Sequence, residues 1–408
     1  MKCRHCHTPL TLPLVDLATS PPSNAYLRAD QLNDPERWYP LRVMVCEHCW
    51  LVQTEDFTQA DQLFDADYAY FSSFSDAWLK HAEAYVTTML ARFGLTPSHR
   101  VVEIASNDGY LLQYVKAAGI PCYGIEPTAS TAAAARTKGI DSIERFFGTA
   151  LADELAAQDR QADLIAANNV LAHVPDINDF VAGFARLLTP AGVATFEFPH
   201  LLNLLEHCQF DTIYHEHFSY LSLTAVARIF EANGLQVFDV EEWPTHGGSL
   251  RVFAQRAGGP HGVLPTVAAM QAREIRAGLT QSPPYRRFQA RAESIKNAFA
   301  RFLLDCKARG ERVAAYGAAA KGNTLINFAG IRADLLAYVV DRNPAKQGKF
   351  LPGSRIPVVA PDHLMVDKPA WIVILPWNLR DEVIGQMAEV RHWGGRFVTA
   401  IPELTVYP

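Results

Sequence analysis

The sequence predicts an α/β protein with two Rossmann-like sheet domains in series behind a small cysteine-bearing module. Three observations predict it: two Cys-x-x-Cys pairs near the N-terminus, an alternation of short apolar runs with helical stretches between Arg100 and about Arg256, and a restart of that alternation at Arg312. At 408 residues the chain is too long for one ordinary core, since domains typically hold about 100–200 residues. The expected boundaries are 1–58 for the cysteine module, 59–258 for the first sheet domain with a leading helix, and 259–408 for a helical linker and the second sheet domain.

Residues 1–55 are rich in turns and lack sustained periodicity, so they build no large core alone. Their two pairs, Cys3 with Cys6 and Cys46 with Cys49, each wrap two thiolates around one ion, and together complete the tetrahedral sulfur shell that Zn²⁺ accepts. His5, His7 and His48 are alternative ligands. A closed four-sulfur site has no open coordination position, so its expected role is folding rather than chemistry.

From about Tyr68 to Phe93 the pattern turns helical, with Trp78, Ala82, Tyr85, Met89 and Phe93 at three- and four-residue steps. Four apolar runs then read as buried parallel strands: 101–105, 122–126, 163–168 and 192–199. Two further runs, 235–243 and 249–256, meet across Pro244, His246, Gly247 and Gly248 and predict an antiparallel sheet edge. A helical linker with Pro283 and Pro284 follows, and then 312–323, 336–343 and 370–377 restart the α/β pattern.

The first strand runs into a polar turn, so Glu103, Ser106, Asn107, Asp108 and Gly109 are candidate cofactor residues. Only one glycine is present, and the G-x-G-x-x-G pyrophosphate fingerprint is not satisfied. That points to a cofactor without a pyrophosphate, such as S-adenosylmethionine. Glu126, followed by Pro127, ends the next strand where an acid accepts hydrogen bonds from ribose hydroxyls, or caps a helix. Asn168 and Asn169 end the following strand and either line the cofactor's amino-acid end or cap the turn. In the second sheet domain, Tyr316 leads through Gly317 and three alanines to Lys321 and Asn323, a strand-turn-helix corner that offers amides and a cation to an anion, or simply packs tightly.

Composition narrows the partners. Hydrophobic residues are 49%, charged residues 20% and the formal net charge −6, so the chain buries real cores and lacks the cationic field of a nucleic-acid binder. No apolar run approaches the roughly 18–20 residues that span a bilayer, and a cytoplasmic location is expected. Three further cysteines, Cys122, Cys208 and Cys306, lie in core-like segments, which suits a reducing compartment. Oligomeric state is left open, a monomer being compatible with the sequence.

The strings EIASNDG (103–109), YFSSFSDAW (70–78), NNVLAHVPD (168–176), EFPH (197–200) and YHEHFSYLS (214–222), taken in order with the cysteine pairs and YGAAAKGNTLIN (316–327), carry a resemblance. Nearly end to end, the chain resembles the S-adenosylmethionine-dependent sugar C-methyltransferases, which join a zinc module, a class I methyltransferase fold and a second Rossmann-like domain. The resemblance implies methylation at C-3 of a 4-keto-6-deoxy sugar on a nucleoside diphosphate, commonly thymidine diphosphate. The ketone acidifies the C-3 proton, a base removes it, and the enolate takes the methyl group in line. By resemblance His217 is the base and Tyr214 the active-site tyrosine that donates to the developing oxyanion. Glu216 orients a histidine or contacts substrate, His173 and Tyr70 match further active-site positions, and His200 sits on the substrate side. Two rival readings are a nicotinamide-dependent oxidoreductase acting on a sugar nucleotide and a zinc-knuckle binding module without catalysis.

Overall fold

The computed structural model describes residues 1–56 and 71–408; Tyr68, Tyr70 and the boundary expected at 58/59 lie outside the described residues. Strands β1 (Leu12–Ser20), β2 (Tyr39–Val45) and β3 (Val52–Thr54) form an antiparallel sheet in the N-terminal module. The sequence pattern misses it because these strands alternate unevenly and register shifts interrupt the β1–β2 ladder.

Helix α1 (Asp76–Phe93) starts later than the periodicity suggests. The Ser75 side chain accepts from the Trp78 amide and so sets the first turn, and Gly94 ends the helix in the left-handed region. Its buried face carries Ala82, Tyr85, Val86 and Met89. Tyr85 bonds Thr195 at 2.6 Å, and His81 meets the buried Glu197 carboxylate at 2.9 Å.

Then come β4 (Val101–Ile104), α2 (Leu112–Ala117), β5 (Cys122–Ile125), α3 (Ala129–Thr137), β6 (Asp141–Ile143), α4 (Thr149–Ala157), β7 (Ala162–Asn168), α5 (Ile177–Leu187) and β8 (Leu188–Pro199). The four expected parallel strands are present, and β4 is buried along its whole length, as a sheet covered on both faces requires. Strand β6 is three residues long and mostly polar, too short to leave a pattern.

After α6 (Leu201–Glu206), strand β9 (Ser219–Tyr220) leaves this domain and pairs with β3, so the N-terminal sheet runs β1-β2-β3-β9. Helix α7 (Leu223–Ala232) leads to β10 (Leu235–Trp243) and β11 (Ser249–Arg256), which form the expected antiparallel edge. The seven strands lie in the order β10-β11-β8-β7-β4-β5-β6. The order reverses between β4 and β7, which places a ligand crevice at their carboxyl ends.

Helices α8 (Pro265–Arg276), α9 (Ser282–Arg286) and α10 (Phe288–Ala308) form the linker, with Pro283 and Pro284 in the first turn of α9, where an amide donor is not needed. The last domain contains β12 (Val313–Tyr316), α11 (Ala320–Phe328), β13 (Val339–Val340), β14 (Val358–Val359), α12 (His363–Asp367), β15 (Trp371–Ile374), α13 (Arg380–Gln386), β16 (Arg396–Thr399) and β17 (Thr405–Tyr407). Its sheet runs β14-β13-β12-β15-β16-β17 and is parallel except at β17. Within 336–343 only Val339 and Val340 pair on both sides.

One hydrophobic cluster joins β1, β2, α6, α9, α10 and the inner face of the six-stranded sheet. The N-terminal module thus folds on cores that its neighbours supply, which answers how so short a segment stays ordered. Among the described residues no helix is long and apolar enough to cross a membrane.

Candidate active site

The four module cysteines meet: their sulfurs lie within 4.8 Å of one another, with Cys3–Cys49 and Cys6–Cys46 at 3.5 Å. Tetrahedral bonds of about 2.3 Å separate sulfurs by roughly 3.8 Å, so the set fits Zn²⁺. The two turns are built alike. His7 donates its amide to the Cys3 carbonyl and Trp50 to that of Cys46, both at 2.9 Å, and both residues have positive φ. No histidine joins this group among the described residues: the four cysteines make it up alone, and the His5 ring bonds Asn178 at 2.8 Å through Nδ1.

The module holds the segment that the sequence singled out. The Thr54 hydroxyl donates to the His217 carbonyl at 3.1 Å, and its amide donates to Phe218 at 3.2 Å. Pro40 accepts from His215, and Asn24 donates to Glu216 at 3.1 Å. Tyr214 lies against His217 with ring centroids 4.0 Å apart, and His173 meets His217 edge-on at 4.6 Å.

A carbonyl accepts only, so the 2.8 Å contact of His217 Nδ1 with the Thr212 carbonyl puts the ring proton on Nδ1 and the lone pair on Nε2. Burial holds His217 well below the usual histidine range, and the neighbouring His173, His246 and Lys321 push the same way. His173 donates Nδ1–H to the Glu216 carbonyl at 2.8 Å, and burial lowers its pKa to about 4. Glu216 therefore orients a histidine through its backbone, while its carboxylate meets Asn24. Burial raises that carboxyl above its ordinary value.

At the crevice, Ala105, Asn107 and Gly109 all have positive φ, a strained turn for two non-glycine residues. Glu126 reaches back from the end of β5, accepting the Asn107 amide on one oxygen and the Thr128 amide on the other, both at 2.9 Å. Pro127 carries the chain from there into α3. Ser106 lies over Gly124, where any side chain would overlap its hydroxyl. Burial pushes the Glu103 carboxyl well above the usual range.

Ser106 Oγ, Asp108 Oδ1, Asn168 Oδ1 and Asn169 Oδ1 are buried and have no hydrogen-bond partner among the described residues. Such orphaned oxygens are costly unless a ligand meets them. They cluster after β4 and β7 and are rich in acceptors, which fits a ligand bearing hydroxyls, an ammonium and a sulfonium.

Helix α11 of the last domain packs against the segment that leads to Tyr214. Thr324 donates to the Ile213 carbonyl at 2.8 Å, just before Tyr214. Lys321 bonds the Asn378 side chain at 2.7 Å and lies 4.9 Å over the Trp377 ring, whose N–H donates to Asp211 at 2.7 Å. Burial pushes the Asp211 carboxyl up to about 6 against the pull of Lys321.

The structure corrects three expectations. His200 does not face the cleft: its side chain is buried and bonds Glu274 of α8 at 2.7 Å. Asn323 is also buried and donates to the Ser23 carbonyl at 2.6 Å, tying α11 to the module. In the corner after β12, Ala318 N donates to Asp341 and Ala319 N to Gly317, both at 2.8 Å, so these two amides are taken within the domain. Tyr316 points across its own domain to Gln386 at 3.2 Å. Sequence reasoning missed Asp211, Trp377, Asn378 and His246; the clue for the last is a histidine set directly before two glycines.

Family models match three stretches of the chain: residues 3–64 the "Putative zinc binding domain", 78–240 the "Methyltransferase domain" and 244–402 the "C-methyltransferase C-terminal domain". A relative, C-methyltransferase NovU of Streptomyces niveus, is 36% identical over 402 residues, covering 98% of this chain and 96% of its own. Among solved structures, the magnesium protoporphyrin IX methyltransferase of Synechocystis PCC 6803 with bound S-adenosylmethionine is 16% identical, covers 44% of this chain and 82% of its own, and has a TM-score of 0.34. An S-adenosylmethionine-dependent methyltransferase of Clostridium acetobutylicum is 11% identical over 45% of this chain and 92% of its own, at a TM-score of 0.36.

Proposed function

Because the chain belongs to the family of S-adenosylmethionine-dependent C-methyltransferases, we propose that it methylates C-3 of a 4-keto-6-deoxy sugar carried on a nucleoside diphosphate. Membership sets aside the oxidoreductase and the non-catalytic module. The observation that carries the finer reading is the His217 ring, neutral, with its lone pair on Nε2 beside Tyr214. Carbon is nucleophilic only once a proton has left it, and a ketone next to the carbon makes that proton removable.

Bound S-adenosylmethionine supplies a methyl group on a positively charged sulfur. Glu126 would hold its ribose, the loop 106–109 would cradle it, and the amide oxygens of Asn168 and Asn169 would meet its amino-acid end. His217 takes the C-3 proton on Nε2 and becomes an imidazolium whose second N–H is already bonded to Thr212. Tyr214 donates to the C-4 oxygen as negative charge develops there. His173, edge-on to His217, would line the wall around the sugar. Incubation with a panel of 4-keto-6-deoxy sugar nucleotides, read by mass spectrometry, should show hydrogen exchange at C-3 and gain of one methyl group; no exchange and no methylation on any member rejects the substrate class.

Two further outcomes are expected. With the His217 pKa pushed well below 6.5, the base stays deprotonated as pH falls through the ordinary histidine range. kcat/KM should therefore hold level from pH 8 down to about 6.5 and decline only below it, and an acid limb centred at 6.5 would assign the base elsewhere. Lys321 supplies positive charge on the sugar-nucleotide side, so Lys321→Ala should raise the substrate's dissociation constant about 10- to 100-fold; unchanged affinity removes Lys321 from the binding site.

A further inference from the structure

We propose that His246 is a positioning residue of the methyl-transfer centre, fixing the Asn169 side chain so that its carbonyl oxygen meets the ammonium group of the methyl donor's amino-acid tail. This rests on the cofactor reading above. His246 lies within the turn between β10 and β11 with φ +54°, ahead of Gly247 at +89° and Gly248 at +110°. A left-handed histidine is unfavourable, and asparagine or glycine makes such a turn more readily. The ring must therefore be needed where it is.

It meets Asn169, 77 residues earlier in the chain. An amide nitrogen can only donate, so the 3.2 Å contact between Asn169 Nδ2 and His246 Nε2 makes the ring nitrogen the acceptor. That contact settles which end of the Asn169 amide faces the ring. Its carbonyl oxygen is left turned the other way, buried and without a partner among the described residues. Asn169 itself has φ +53° and is anchored through its amide to the Glu197 carbonyl at 2.7 Å, directly after β7. An acceptor held there suits a cationic group on a ligand at the carboxyl end of the sheet.

The turn is held from all sides. Thr245 donates to Glu197 at 2.9 Å, Gln209 donates to the Gly247 carbonyl at 2.9 Å, and Trp78 lies 5.4 Å from the histidine ring. A side chain at Gly247 would overlap Trp377 of the last domain. Burial and the charge of Lys321 lower the His246 pKa to about 4, which keeps Nε2 an acceptor at ordinary pH.

The test compares S-adenosylhomocysteine with 5′-methylthioadenosine, which lacks the amino-acid tail, by calorimetric titration of the full chain. His246→Leu removes the acceptor, and His246→Gln keeps an amide oxygen that can replace it. In the leucine variant the dissociation constant of S-adenosylhomocysteine should rise about tenfold and that of methylthioadenosine should stay unchanged, with glutamine restoring most of the loss. Asn169→Ala carries the same expectation should the leucine variant not fold, and the Leu/Ala double variant should lose no more than either single one. Equal weakening of both ligands, or of neither, overturns the proposal. A wild-type chain that binds neither ligand overturns the cofactor reading instead.

Discussion

His217→Ala is expected to lower methyl transfer by about 10³-fold or more and to abolish solvent exchange at C-3 of the substrate, with binding of S-adenosylhomocysteine preserved. General-base catalysis by a positioned side chain is worth roughly 10²–10⁴-fold, and the upper part of that range applies where the base is oriented. His217 is oriented by the Thr212 carbonyl, by the Tyr214 ring lying tilted against it and by His173 edge-on to it. The wild-type chain should exchange the C-3 hydrogen in deuterated water even without a methyl donor, because deprotonation precedes the transfer. Mass spectrometry of recovered substrate measures that step alone. Continued exchange in the alanine variant would move the base to another residue, with His173 the nearest candidate.

The second large effect is expected from the metal site, which takes no part in the chemistry. Cys46→Ser should abolish stoichiometric zinc, lower the melting temperature by about 10 °C or more and remove activity at the same time. Structural zinc binding contributes on the order of 10–16 kcal/mol in small zinc peptides, comparable to the whole stability of an ordinary domain at about 5–15 kcal/mol. The N-terminal sheet buries its apolar residues in a cluster shared with later parts of the chain rather than in a core of its own, so loss of the metal leaves the cysteine turns without a replacement. Its strand β3 pairs with β9, and Thr54, Pro40 and Asn24 hold residues 215–218. Loosening the module therefore displaces His217 without altering any catalytic group. Elemental analysis and calorimetry check the claim; a zinc-free variant that melts like the wild type and keeps its activity would show the site to be incidental.

Much of this was legible in the residues. The cysteine pairs were readable because C-x-x-C spacing is itself the geometry of a metal-binding turn. Strands β4, β5, β7 and β8 were readable because sheets covered on both faces leave continuous apolar runs, and Glu126 because it ends one of them. The segment 214–217 stood out through its chemistry rather than its structure. His200 misled for the same reason: it follows a strand end as a cleft residue would, and only its burial against Glu274, 74 positions later, shows that it braces α8. Lys321 stood out in the sequence, but its setting over Trp377 beside Asp211 was not legible there, since those two residues come from different domains.

By itself, the sequence determined the order of the parts, the metal ligands and the kind of chemistry, because periodicity, ligand spacing and residue type are properties of short stretches of chain. Only the tertiary structure decided that the zinc module holds residues 215–218 and that His246 reaches Asn169. Those outcomes depend on burial and on hydrogen bonds between residues many tens of positions apart, which no short stretch of chain encodes.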